Sequence, residues 1–107
     1  MKTTLAAKSF NLVKLIEYQA GAIVSREVLK QKAGTVTLFA FDAGQGLSEH
    51  TVPFDALVQV LDGQAEITIA GKPHCVKAGE IILMPAGQPH ALKAQQRFKM
   101  LLTMLRA

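Results

Sequence analysis

The chain has 107 residues, half of them hydrophobic and 19% charged, a balance that supplies a core for one domain and excludes a disordered chain. Its net charge of +4 comes from twelve Lys and Arg residues scattered along the sequence, with no dense basic run and no Trp, so no nucleic-acid partner is expected. No segment approaches the roughly 18 consecutive apolar residues of a membrane span, the N-terminus lacks the apolar stretch of a signal peptide, and the single Cys75 cannot form an intrachain disulfide. The expected setting is the reducing cytoplasm, with no membrane partner.

In chain order, residues 9–19 place Leu12, Leu15 and Ile16 at helical spacing behind Asn11 as N-cap, and Gly21 follows; a short amphipathic helix is expected there. From residue 22 the period becomes two. Val24, Arg26, Val28 and Lys30 are expected on one face of a weakly patterned strand, with Ile23, Ser25, Glu27, Leu29 and Gln31 on the other. Gly34 ends it. Thr35 to Phe41 is a stronger strand of β-branched and aromatic residues, followed by a turn over residues 42–46. Residues 57–61 form an apolar strand, Asp62-Gly63 signals a tight turn, and residues 65–69 alternate as the next strand. Short strands at 74–77 and 81–84 are separated by Ala78-Gly79, and the second stops at Pro85-Ala86-Gly87. His90 to Leu92 follows. The last strand, 98–105, carries Phe98, Met100, Leu102 and Met104 on one face and Leu101, Thr103 and Leu105 on the other. Both faces are largely apolar and need cover, from a second sheet or a second copy. Short strands about ten residues apart with glycine turns predict an all-β sandwich or barrel in one domain over residues 1–107: a helical segment at 1–21 and a barrel over 22–107.

Two histidines each close a glycine-anchored segment. Gly44 precedes His50 by six residues, and Gly79, Pro85 and Gly87 lead to His90. This spacing resembles the two motifs of the cupin family. The first, Gly-x5-His-x-His-x3-4-Glu-x6-Gly, aligns without a gap from Gly44 to Gly63, with Val52 at the second histidine and Ala56 at the glutamate. The second, Gly-x5-Pro-x-Gly-x2-His-x3-Asn, aligns from Gly79 to His90, with Ala94 at the final Asn. The resemblance implies a double-stranded β-helix, the jelly-roll barrel, enclosing a pocket. It also implies a homodimer, consistent with apolar Leu101 and Leu105 and the weak strand at 23–31. A length near 100 residues buries only about two-thirds of the unfolded surface, so association would add stability.

In that family three His and one Glu hold a metal. The resemblance implies that His50 and His90 are what remains of that ligand set here. Two imidazoles with water would hold a divalent Fe, Mn, Ni, Cu or Zn ion only weakly. Alternation along strands puts residues 50 and 52, and 56 and 58, on the pocket side. The expected pocket therefore comprises His50, Val52, Ala56, Val58, Met84, His90 and Met100. Glu49, Asp55 and Gln59 lie near the gap in sequence, but Gln59 has the wrong parity. His74 beside the 71–73 turn reads as a surface residue. Met84, Phe98, Met100, Leu102 and Met104 read as core, a subset of them lining the cavity. Cys75 has no basic group beside it on its strand face except Lys77, and its neighbour His74 falls on the opposite face, so a nucleophilic role is not expected. Two functions follow: a binding module for a small apolar or anionic molecule, with a degraded metal site, or a metal-dependent dioxygenase or isomerase using His50 and His90.

Overall fold

The computed structural model describes residues 5–106. Eight strands build the structure: β1 (Ile23–Gln31), β2 (Gly34–Phe41), β3 (Gly46–His50), β4 (Asp55–Ile69), β5 (Lys72–Lys77), β6 (Ile81–Met84), β7 (His90–Lys93) and β8 (Phe98–Leu105). All pairings are antiparallel. One sheet runs β1-β2-β8-β4-β6 and the other β5-β4-β7-β3, so β4 belongs to both and joins them into a jelly-roll barrel.

The expected turn at Asp62-Gly63 does not form. β4 runs through it for fifteen residues. Its N-terminal half pairs with β8 and β6 and its C-terminal half with β5 and β7. The strand crosses from one sheet to the other at a bulge between Val60 and Asp62. Gly63 takes φ +72° there, and a Cβ on it would sit 2.2 Å from the Arg97 carbonyl oxygen. The glycine that signals a turn in sequence instead lets two backbones approach at a bent strand.

A second bulge, between Glu27 and Leu29, corrects the expected faces of β1. Val24 and Arg26 pair with Ala40 and Leu38 on the outer face, and after the bulge Leu29 pairs with Val36 on that same face. Strict alternation would have put Leu29 opposite Val24.

The N-terminal helix is also corrected. Only one 3-10 turn forms, Leu12–Lys14, with Asn11 as N-cap accepting from the Val13 amide at 3.1 Å. The Lys99 ammonium donates to the Val13 carbonyl at 2.7 Å and the Arg26 guanidinium to the Leu15 carbonyl at 3.1 Å. A continuing helix would use those carbonyls itself. Leu12, Leu15, Ile16 and Tyr18 instead lie along the outer sheet surface with Leu38, Ala40 and Leu101. The Tyr18 hydroxyl donates to Asp62 at 2.6 Å, and Arg97 and Lys99 lie against its ring. Burial, and next that hydrogen bond to a carboxylate, push its ionisation well above the ordinary phenol range.

The main core fills the barrel. Phe41, Val58, Val60, Ile67, Phe98 and Met100 are fully buried, and the Phe41 and Phe98 rings stack with centroids 4.5 Å apart.

Candidate functional site

His50 ends β3 and His90 begins β7, and the two residues face one another in the β3–β7 ladder. Their Nε2 atoms are 3.1 Å apart and their rings meet edge to face. The loops beside them are tied together. The Gly87 amide donates to the Val52 carbonyl at 2.9 Å, and the Ala86 amide donates to the Asp55 carboxylate at 2.9 Å. Gly87 has φ +80°, a turn geometry that an L side chain rarely adopts. The Pro85-Ala86-Gly87 turn thus sets the entry to His90.

Hydrogen positions follow from the acceptors. His50 Nδ1 lies 2.8 Å from the Ser48 carbonyl oxygen, which only accepts, so Nδ1 carries the proton. The neutral His50 ring then accepts at Nε2, and His90 donates from its own Nε2. That leaves His90 Nδ1 as a buried acceptor with no hydrogen-bond partner. Burial first, and the neighbouring His50 second, hold the His90 imidazole below its ordinary range; a backbone interaction with Gln88, outside hydrogen-bonding geometry, opposes them. An unfolded imidazole takes up its proton near pH ~6.5, whereas folded His90 resists it. The unfolded chain therefore binds more protons, and stability declines as pH drops below that value toward the folded one. Urea midpoints measured on either side of it are expected to separate more in the parent chain than in His90→Gln.

A cavity of about 50 Å³ opens at the imidazoles. His50, Val52, Ala56, Met84, His90 and Met100, six of the seven residues expected at the pocket, line it. Val58 does not; it is fully buried deeper in the core. Leu47, Leu92, Leu102 and Met104 complete the wall. Leu92 and Leu102 were legible from parity with His90 and Met100. Leu47 was not, because a register shift separates it from His50. The two imidazoles are the only polar side chains of this wall.

The sequence neighbours of the gap go elsewhere. Gln59 pairs with Leu101 and Ile81 on the outer face, Asp55 holds the Ala86 amide, and Glu49 is exposed. His74 and Cys75 are exposed on β5. Among the described residues no group of three His, Cys, Asp or Glu side chains comes together. The donors present do not fit an ion held by four protein ligands, because the two further donor positions carry the apolar side chains of Val52 and Ala56.

A jelly-roll barrel with a histidine pair at its mouth defines the class. The cupin-domain family model matches residues 37–104, and the chain belongs to that family. Among solved structures, a conserved protein of unknown function from Streptococcus pyogenes is 38% identical with a TM-score of 0.90, over 94% of this chain and 89% of that one. A cupin 2 conserved barrel domain protein from Leptotrichia buccalis is 42% identical with a TM-score of 0.88, over 91% of this chain but only 47% of that longer one. A cupin superfamily protein from Desulfitobacterium hafniense is 28% identical with a TM-score of 0.89, over 94% and 93%. No curated protein matches the sequence. Among the described residues no helix is long and apolar enough to cross a membrane.

Proposed function

We propose that the chain is a binding module whose barrel holds a small, mainly apolar molecule with one polar group set against the His50–His90 pair. One observation supports this most: an otherwise apolar wall ends in two convergent imidazoles. Such a site takes its affinity from apolar burial and its orientation from one or two polar contacts. His90 is disposed to stay neutral near pH 7, so it offers a hydrogen bond rather than a fixed charge. An anionic group would draw a proton onto the pair and bind better as pH falls.

The resting cavity of about 50 Å³ is small, room for no more than a few water molecules at roughly 10–15 Å³ of probe volume each. Met84, Met100 and Met104 form much of its wall, and unbranched thioether side chains change rotamer at small cost. A ligand of a few heavy atoms is accommodated when they turn aside.

The test is a small-fragment binding screen by ligand-observed NMR, with metal analysis of protein purified without chelator. Binding of apolar fragments that a His50→Ala, His90→Ala double variant weakens, in protein free of stoichiometric metal, supports the module. Stoichiometric Fe, Mn, Ni, Cu or Zn that the same double variant loses overturns it in favour of a metal-dependent enzyme.

A further inference from the structure

A second cavity of about 30 Å³ lies next to the imidazole cavity, lined by Gly34, Thr35, Phe54, Met104 and Arg106. Met104 is the one residue that lines both. Its place in the larger sheet explains this. One cross-strand row runs Thr35, Met104, Ala56, Met84, with Met104 paired to Thr35 on one side and to Ala56 on the other. Ala56 and Met84 belong to the first cavity and Thr35 to the second, so a single thioether side chain divides them. Arg106 stands at the far side of the division. Its amide donates to the Ala33 carbonyl at 2.8 Å, which fixes where its side chain leaves the backbone. Its guanidinium lies 5.3 Å from the centre of the Phe54 ring. No carboxylate of the described residues pairs with it, whereas Arg97 is held by Asp42 at 2.8 Å. A guanidinium is thus positioned, with its charge unanswered among the described residues, at the end of an apolar passage.

Given the binding-module reading of the barrel, on which this step rests, we propose that its ligand is a short aliphatic carboxylate. The carboxylate binds the Arg106 guanidinium, the far polar end meets the His50–His90 pair, and Met104 turns aside to let the stem through. Three features select this class. First, a planar guanidinium meets a carboxylate through two parallel hydrogen bonds, and the Thr35 hydroxyl in the same cavity supplies a further donor. A phosphate carries more charge than one guanidinium answers, and no other basic side chain lines this cavity. Second, only one unbranched side chain has to move, so the opening admits a slim linear stem rather than a ring. Third, the reach is defined. Thr35 and Ala56 stand two strand spacings of ~4.8 Å apart, so a molecule that occupies both cavities is roughly 10 Å long. The imidazole pair alone sets no such length and no such charge.

Titration calorimetry tests the proposal with two probes of equal length: ω-hydroxyhexanoate, and the hexanediol that carries a hydroxyl at each end and no charge. The parent chain is expected to bind the acid about fivefold tighter than the diol, the scale of a guanidinium–carboxylate pair that keeps contact with solvent. Arg106 is exposed, so Arg106→Gln is expected to fold as the parent does. That variant is expected to lose the preference for the acid and to keep the diol affinity. Arg106→Lys is expected to recover only part of the preference, because an ammonium lacks the planar fork. Lys72→Gln, on the other sheet, removes the same charge and is expected to leave the preference intact, which separates a local partner from the general pull of a +4 chain on anions. Met104→Ala is expected to bind the acid several-fold tighter, because no side chain then has to be displaced. Equal affinity for acid and diol, or a preference that survives Arg106→Gln, overturns the proposal and leaves the binding-module reading in place. If neither probe binds, the proposal falls as well, and the fragment screen by itself decides whether the barrel is a binding module.

Discussion

Phe98→Ala is expected to cost about 3–5 kcal/mol of folding stability, a large fraction of the ~5–15 kcal/mol that a domain commonly has. Phe98 is fully buried and stacks on Phe41 with the ring planes only 11° apart. It pairs with Phe41 across one ladder and with Gly63 across the other. The ring therefore stands where β4 leaves one sheet for the other, and its removal opens a void that the bent strand cannot close. Loss of the large ring removes apolar burial and leaves a residual cavity, and the two costs add. Urea denaturation followed by circular dichroism is expected to show the midpoint falling by roughly 2 M. Phe98→Leu keeps most of the volume and is expected to recover more than half of the loss. A midpoint for Phe98→Ala within experimental error of the parent would show that the stack is not what braces the crossing.

Val52→His combined with Ala56→Glu is expected to convert the cavity into a metal centre. Both positions line the same small space as His50 and His90, and neither now offers a donor. Adding an imidazole and a carboxylate raises the protein donors from two to four, a mixed nitrogen and oxygen set that suits divalent transition ions. Even an outer partner of a ligand is worth about 10–100-fold in metal affinity, so two direct ligands are expected to strengthen Zn²⁺ or Ni²⁺ binding by about a hundredfold or more. Titration calorimetry measures that gain directly. Without metal the new glutamate is a carboxylate in an apolar wall, so the variant is expected to melt earlier than the parent when empty and later when loaded. An affinity no greater than the parent's would mean that these four positions do not converge. The substitution also fills the apolar cavity, so fragment binding is expected to disappear with the same change.

The positions of the site were legible because they depend on local spacing. Glycine, proline and histidine at set intervals define turns and strand starts, and those bring His50 and His90 into one ladder pair. Alternation along β6 and β8 then placed Met84 and Met100 on the inward side, where they are found. Parity failed where a strand carries an irregularity. The register shift after Leu47 hid that residue, and the bulge after Glu27 moved Leu29 to the outer surface. Val58 kept the correct parity but lies one step beyond the cavity, a matter of depth that alternation does not contain. The N-terminal segment misled for another reason. Its apolar spacing suits a helix, but Lys99 and Arg26, 86 and 11 residues away from their partners Val13 and Leu15, take the carbonyls a helix needs.

From its residues alone this protein is an all-β barrel with two histidines spaced to meet at one pocket and no other donors at the expected places, because strand period and turn chemistry are short-range properties. What required three dimensions was that β4 passes Gly63 without turning and that the two Nε2 atoms come within 3.1 Å of each other. Each of these is set by contacts between strands remote in sequence, where bulges and competing hydrogen bonds override the local pattern.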